Sequence, residues 1–278
     1  MTTAEQVALV VTDEDMGTPQ IVPFAEGRAA IFSARSPDKR SANQDAAGLL
    51  ALDGERGVLV VADGLGGQPG GDSASKITLG CLETAVRHAS EHGTPMRGAI
   101  LDALENANRR VMELGIGAAT TFAALEVAGA TLRPYHVGDS GILVVGQRRK
   151  VKLQTISHSP VGYAVEAGLL DEHEAMHHDD RHVVSNMVGA ADMRIEVGSP
   201  IRLAPRDTAL LATDGLFDNL NPAEVVDIVR TGPLDRAAND LARRTAERMR
   251  APAAQGPSKP DDLTFVLYRR DARSSKAD

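Results

Sequence analysis

Tryptophan is absent from the chain, cysteine occurs once, and aromatic residues make up only 3%. One thiol, Cys81, excludes an intramolecular disulfide. It lies in an apolar stretch of helical spacing, where a buried thiol is the expectation. With so few aromatics, the 42% of apolar residues must build a core from Leu, Val, Ile and Ala. No apolar run approaches the ~18–20 residues of a membrane span. The first residues, MTTAEQVALVVTDEDMG, carry acids where a secretory leader carries basic residues. A cytoplasmic location with no membrane partner is expected. Positive charge is short as well: 30 Lys and Arg against 38 Asp and Glu leave a formal charge of -8, which repels nucleic-acid phosphates. The basic cluster Arg148, Arg149, Lys150 and Lys152 has no interleaved aromatic, so it reads as a solvated hairpin edge and no nucleic-acid partner is expected.

Several catalytic signatures are missing too. There is no GxxxxGK[ST] loop, no GxSxG elbow, no HExxH and no CxxC, and the glycines of 64–71 do not form a dinucleotide fingerprint. What remains is a chain of 278 residues with 24% charged residues, enough for one large folded domain.

Residues 1–26 form a polar N-terminal extension in which Val7 to Val11 is either an edge strand or loosely attached. From Arg28 the pattern is strand-like. Residues 57–62 form a continuous Val-rich run that reads as a buried strand ending in a glycine-rich loop. Helices are predicted over Asp72–Ala89, capped by Asp72 or Ser73, and over Met96–Leu114. Strands follow at 120–127, 131–138, 142–147 and 149–153, and helical character returns over 160–182. Further strands are expected near 183–188, 194–203 and 207–213. A helix begins at Asn221-Pro222, with Asn as cap and Pro in the first turn. Another covers Leu234–Arg250. A Pro/Ala/Gly loop (251–260) leads to a last strand, Leu263–Tyr268, and a tail, 271–278. Hairpin-joined strands with paired helices predict one α+β domain with antiparallel sheets.

The chemistry lies in aspartates at strand ends. Asp63, Asp139 and Asp214 each close a strand beside glycine, in Asp63-Gly64-Leu65-Gly66-Gly67, Val137-Gly138-Asp139-Ser140 and Thr213-Asp214-Gly215-Leu216. Asp45 follows Asn43-Gln44, and Asp261 precedes the last strand. Asp-Gly alone is a common turn. Repeated at the ends of buried strands, it places carboxylates where only a hard cation offsets their repulsion, and Mg²⁺ or Mn²⁺ prefer such oxygen ligands. Glycine after Asp63 leaves the backbone carbonyl accessible as a further ligand.

Arg40…Asn43-Gln44-Asp45, Asp63-Gly64-Leu65-Gly66-Gly67, Gly117…Thr120-Thr121, Val137-Gly138-Asp139-Ser140, His158-Ser159, Thr213-Asp214-Gly215-Leu216…Asp218 and Asp261-Asp262-Leu263-Thr264 occur in the order seen in the metal-dependent protein phosphatases (PPM, protein phosphatase type 2C). The chain resembles bacterial members of that family over about residues 28–270. The resemblance implies a four-layer α/β/β/α sandwich of two antiparallel sheets flanked by helix pairs. It implies a catalytic domain over 27–270, with a flap at about 158–193. Asp63 would bridge two Mn²⁺ or Mg²⁺ ions, Gly64 would add its carbonyl to one, and Asp214 and Asp261 would hold the other. Asp45 would orient metal-bound water, Asp139 with Asp214 would hold a third, weaker ion, and Arg40 would bind the phosphate. The implied activity is hydrolysis of phosphoserine and phosphothreonine by direct attack of a hydroxide bridging the metals. The implied partner is a phosphoprotein substrate of a bacterial Ser/Thr kinase. A catalytically weak phosphoprotein-binding module of the same fold is the alternative.

The chain departs from the family pattern at Leu65, where some relatives carry His, at Ser157 in place of Asp, at Gly141 in place of Arg, and at Asp262 in place of Asn. Residues Glu172 to His182 are rich in histidine, and His173 and His177 are spaced for one face of a helix. They read as a solvated polar face of the flap, with a metal site as the lesser alternative.

Overall fold

The structure is a computed structural model that describes residues 8–37, 39–65, 70–251 and 258–271. The chain begins with β1 (Ala8–Thr12), β2 (Gln20–Phe24), β3 (Gly27–Ala34), β4 (Ala46–Ala51) and β5 (Arg56–Ala62). Two long helices follow, α1 (Gly71–His92) and α2 (Met96–Met112). Then come β6 (Phe122–Ala128), β7 (Thr131–Val137), β8 (Gly141–Val145) and β9 (Val151–Gln154). The segment read as a flap holds α3 (Pro160–Glu166) and α4 (Glu172–Met176), followed by β10 (Glu196–Val197), β11 (Ile201–Arg202) and β12 (Thr208–Ala212). The chain closes with α5 (Asp214–Phe217), α6 (Pro222–Val229), α7 (Leu234–Arg250) and β13 (Leu263–Arg270).

All strand pairs are antiparallel. One sheet has the order β1-β4-β5-β6-β7-β10, with β11 also on β7, and the other runs β2-β3-β13-β12-β8-β9. Side chains along a strand alternate between faces, and here both faces are covered. In β13, Phe265 and Leu267 pack toward α6 and α7, while Val266 and Tyr268 point into the layer between the sheets. In β5, Val58 and Val60 pack under α1 and α2, while Leu59 and Val61 face the other sheet. Burial on both faces is why these strands read as unbroken apolar runs rather than alternating ones. The result is the expected four-layer sandwich. Aliphatic side chains fill all three interfaces, and Cys81 is buried under α2.

The segment read as an N-terminal extension supplies an edge strand to each sheet through β1 on β4 and β2 on β3. Residue 7 and those before it lie outside the described residues, as do Gly66 and Gly67, residues 252–257 of the Pro/Ala/Gly loop and 272–278 of the tail. The basic cluster lies at the β8–β9 hairpin, where Arg149 pairs with Asp227 and Lys152 with Asp207.

Four local expectations need correction. Helix α1 is capped by Gly70 in the left-handed conformation (φ 82°), not by Asp72 or Ser73. Asp72 instead falls in the first turn, where it favours the helix dipole and meets Lys76 at 3.6 Å. The helical stretch 160–182 is broken at Gly168, which adopts φ 69°. The strand expected near 183–188 is absent apart from an isolated bridge between Val188 and Thr120, since the Asn186 side chain binds the Arg194 backbone instead. The strand expected over 194–203 is split into β10 and β11: the Gly198 N–H still bonds the Pro134 carbonyl at 3.0 Å, but Pro134 has no N–H to return, and pairing resumes one residue out of register at Ile201 and Leu132. The cap at Asn221 is as predicted, in a reciprocal box with Glu224.

Leu211 is fully buried in the layer between the sheets, whereas Leu169 in the flap is 78% exposed. Leu211→Ala is expected to cost about 2–5 kcal/mol in urea unfolding, and Leu169→Ala to stay within about 0.5 kcal/mol. Equal effects would contradict the layered core.

Candidate active site

The site is assembled by register. Ala46 pairs with Ala62, which sets Asp45 at the start of β4 beside Asp63 at the end of β5. Ala212 pairs with Phe265 on one side and Gly141 on the other. Asp214, two residues past Ala212, therefore lies between the Asp261 end of β13 and the Asp139 turn before β8. The two sheets deliver Asp45, Asp63, Asp139, Asp214 and Asp261 to one end of the sandwich. Each lies in or beside an apolar strand end that fixes its backbone.

Hydroxyls and amides hold these ends in place. The Asp63 N–H donates to Thr121 Oγ1 at 2.9 Å, and Thr121 Oγ1 meets Ser140 Oγ at 2.6 Å. The Asp63 carbonyl accepts from Thr120 Oγ1 at 2.7 Å and Thr121 N–H at 2.9 Å. Gly64 and Thr120 face each other between the bonds Leu65 N–H to Ala119 O, 3.1 Å, and Thr121 N–H to Asp63 O, 2.9 Å. That is the non-hydrogen-bonded position of antiparallel pairing, so the ladder leaves the Gly64 carbonyl unused. A Cβ on Gly64 would lie 2.3 Å from the Gly71 carbonyl oxygen, so no other residue fits. Gly215 is equally constrained: its Cβ would fall 1.9 Å from the Asp262 carbonyl oxygen. This close approach brings the start of α5, with Asp214, against the start of β13.

Asp45 is 1% exposed, and its Oδ2 accepts from Thr213 Oγ1 at 3.0 Å. Its Oδ1 is buried with no hydrogen-bond partner, and so is Asp214 Oδ1. Buried carboxylate oxygens are rarely left this way, because each forfeits its hydration. Burial raises the Asp63 pKa well above the carboxylate range, and the charges of Asp45, Asp214, Asp139 and Asp261 raise it further. Asp45 is raised by burial and by the charge of Asp262. Asp139 rises to about 7 and Asp218 to about 6, by burial first and then by Asp214. Asp261 is also raised, by burial and Asp214. This is the pattern of like charges forced together without enough counter-charge. The donor set is all oxygen, mostly anionic, with two oxygens unfilled, and it fits a hard divalent cation.

Arg40 is exposed and makes no hydrogen bond or ion pair among the described residues. Its neighbour Lys39 is engaged instead: Nζ reaches Asp262 Oδ2 at 2.5 Å and Gln44 Oε1 at 2.9 Å. Asp262 also accepts from the Ser36 and Gln44 N–H groups at 2.9 and 2.8 Å. The residue that departs from the family pattern is thus a buried post around which the loop carrying Arg40 and Asp45 is wound. Its extra charge is answered by Lys39. Sequence reasoning missed this pair, and it missed Lys259, whose Nζ lies 2.5 Å from Asp214, 3.0 Å from Asp218 and 3.3 Å from Asp261. The only available signal was a lysine two residues before a predicted ligand.

Histidines do cluster, but not where the flap sequence pointed. His173 and His177 stack 4.6 Å apart, with His177 Nδ1 against the His173 carbonyl. Ligand atoms of His136, His158 and Glu196 all lie within 4.8 Å of one another. The tautomer argues against a metal there. His158 Nδ1 accepts from the Gly138 N–H at 3.1 Å, so its proton sits on Nε2 and points at Glu196 Oε2, 3.0 Å away. A metal at Nε2 would need that proton removed. The trio is instead a latch: the His158 backbone N–H donates to the Gly138 carbonyl at 2.9 Å, which fixes the Asp139 turn. His136 stays neutral, its pKa lowered to about 3 by burial and by His158.

Converging carboxylates at one end of a four-layer sandwich place the chain in the architectural class expected from its motif order, the metal-dependent phosphatases. The family model for protein phosphatase 2C matches residues 38–255. The serine/threonine phosphatase stp of Listeria monocytogenes is 28% identical over 247 residues, 84% of this chain and 92% of its own. The structure of the S. agalactiae serine/threonine phosphatase superposes with a TM-score of 0.73 at 27% identity, covering 87% of this chain and 99% of that one. The catalytic domain of the phosphatase PstP, solved with two manganese ions, shares the fold at a TM-score of 0.68 and 21% identity, covering 88% and 99%. The chain belongs to the protein phosphatase 2C family. No helix among the described residues is long and apolar enough to cross a membrane.

The raised carboxylates make a prediction for the metal-free protein. The folded state holds the Asp139 proton to about pH 7, whereas the unfolded chain releases it near 4. That contribution is complete below ~4 and is lost as pH rises through about 7. His136 acts in the opposite sense: its lowered pKa costs stability as pH falls below ~6.5. The test is therefore the difference between wild type and Asp139→Asn in EDTA. The midpoint of wild type is expected to fall by several degrees relative to the variant between pH 5 and 7.5. A constant difference would contradict the raised pKa.

Proposed function

We propose that this chain is a metal-dependent protein serine/threonine phosphatase, which hydrolyses phosphoserine and phosphothreonine without a covalent phospho-enzyme. The observation that carries the reading is the convergence of Asp45, Asp63, Asp139, Asp214 and Asp261 with unfilled oxygens on Asp45 and Asp214. Asp63 and the Gly64 carbonyl would hold one Mn²⁺ or Mg²⁺ ion. Asp63, Asp214 and Asp261 would hold a second, and Asp139 with Asp214 would be the acids of any weaker third. Bound divalent ions supply positive charge for the phosphoryl oxygens and lower the pKa of water, so that hydroxide forms near neutral pH.

The side chains supply position. Asp45 is fixed through Oδ2 by Thr213, which leaves Oδ1 to accept a hydrogen bond from the attacking water and orient it. Arg40 stands on the loop wound round Asp262 with its guanidinium unpaired among the described residues, so its planar fork can take two phosphoryl oxygens at once. Leu65 provides no proton donor, and the leaving alkoxide takes its proton from water in the site. No protein nucleophile is needed. The substrate is a phosphoprotein, and we place the enzyme in the cytoplasm opposite a bacterial Ser/Thr kinase.

Hydrolysis of p-nitrophenyl phosphate and of a phosphothreonine peptide tests this reading. Turnover is expected with Mn²⁺ and not with EDTA. Asp63→Asn is expected to lower kcat/KM by at least on the order of 100-fold. Arg40→Ala is expected to lower it about 10- to 100-fold, mostly through KM. Metal-independent turnover would refute the mechanism. Folded protein that binds phosphopeptide without turning it over would favour the binding-module alternative.

A further inference from the structure

Lys259 is the one lysine whose ammonium enters the acidic cluster among the described residues. Its Nζ lies 2.5 Å from Asp214 Oδ2, 3.0 Å from Asp218 Oδ2 and 3.3 Å from Asp261 Oδ2. It does not arrive there on a loose loop. The Asn219 side chain, fully buried, clamps the Lys259 backbone from both sides: Nδ2 donates to the Lys259 carbonyl at 2.8 Å, and Oδ1 accepts its N–H at 2.9 Å. Asn219 Nδ2 also donates to the Gly215 carbonyl at 2.9 Å, one residue past Asp214. Pro260, with its fixed φ, separates Lys259 from Asp261. The ammonium is thus tied, through Asn219, to the end of the short helix that Asp214 opens and Asp218 caps. Only a quarter of the Lys259 side chain is exposed, so solvent screens it weakly.

The Asp214–Asp218 corner adjoins Asp139, whose carboxyl feels the charges of Asp214, Asp218 and Lys259. Without Lys259 this corner would hold three carboxylates, with only the more distant charge of Arg181 acting on Asp218. That is the position where Asp139 and Asp214 would take a third, weakly held divalent ion.

We propose that Lys259 is a built-in cation that fills this outer corner and substitutes for the third divalent ion. Its ammonium neutralises Asp214 Oδ2 and Asp218, reaches Asp261 Oδ2 less closely at 3.3 Å, and leaves Asp214 Oδ1, which has no partner, for the inner site. A lysine does this with one charge and three donors, and a metal needs two or more free carboxylate oxygens to compete. Two consequences follow. The chain needs one divalent ion fewer than its acidic residues invite, and the metal-free fold is already partly neutralised. The inference rests on the metal-binding reading of the same site.

The test compares wild type, Lys259→Met and Lys259→Arg, using Mn²⁺ itself as the probe. Isothermal titration with Mn²⁺ is expected to show one more ion bound by Lys259→Met than by wild type, and Lys259→Met/Asp139→Asn is expected to lose that ion. In EDTA, Lys259→Met is expected to melt several degrees below wild type and to regain more than wild type on adding Mn²⁺. Lys259→Arg, which keeps the charge, is expected to bind as many ions as wild type and to melt with it. Equal Mn²⁺ stoichiometry in wild type and Lys259→Met, or equal melting in EDTA, overturns the role of Lys259 while leaving the metal site standing. Absence of Mn²⁺ uptake by all the proteins overturns the metal reading, and the role of Lys259 with it.

Discussion

Repulsion among carboxylates that the fold holds together at one end of the sandwich is the constraint on which this molecule turns. A single buried carboxylate can keep its proton or find a donor. Here Asp63 sits within the fields of Asp45, Asp214, Asp139 and Asp261, and those groups come from both sheets. No local rearrangement separates them, because each is attached to a strand whose faces are packed on both sides. The apolar core therefore supplies more than stability. Its rigidity keeps the charges in place until cations neutralise them.

The surroundings are arranged to tolerate this state. Thr120, Thr121, Thr213 and Ser140 satisfy backbone groups and carboxylate oxygens at the strand ends. Gly64 and Gly215 let two backbone segments approach closer than any Cβ would permit. Asp262, beside Asp45, is bound by Lys39 and two N–H groups and becomes a loop post. Lys259 answers the outermost carboxylates. The inner oxygens, Asp45 Oδ1 and Asp214 Oδ1, are left unfilled. The geometry thus separates carboxylate oxygens held by protein partners from oxygens kept open for external ions.

Much of this was legible in the sequence, for identifiable reasons. Residues 57–62 and 263–268 read as strands because burial on both faces leaves unbroken apolar runs. Asp63, Asp139 and Asp214 stood out because glycine beside a strand-terminal acid is a local pattern. The helix at Pro222 was legible from its cap. Other features depend on contacts between distant residues. The latch of His158 on Gly138 and Glu196, the bonds of Ser36, Lys39 and Gln44 to Asp262 and the reach of Lys259 into the cluster leave no periodic signature. The flap misled for a different reason. Its histidines have ligand-like spacing, but Gly168 breaks the helix that would have presented a long face, and one of their ring nitrogens bonds the backbone instead.

The central claim is that oxygen donors from both sheets form one cation-binding centre at the end of the sandwich. Diffraction from crystals equilibrated with Mn²⁺, recorded at the manganese absorption edge, tests it most directly. Anomalous peaks are predicted between Asp63, the Gly64 carbonyl, Asp214 and Asp261. Peaks confined to His136, His158 and Glu196, or no ordered peak beside Asp63, would contradict the account.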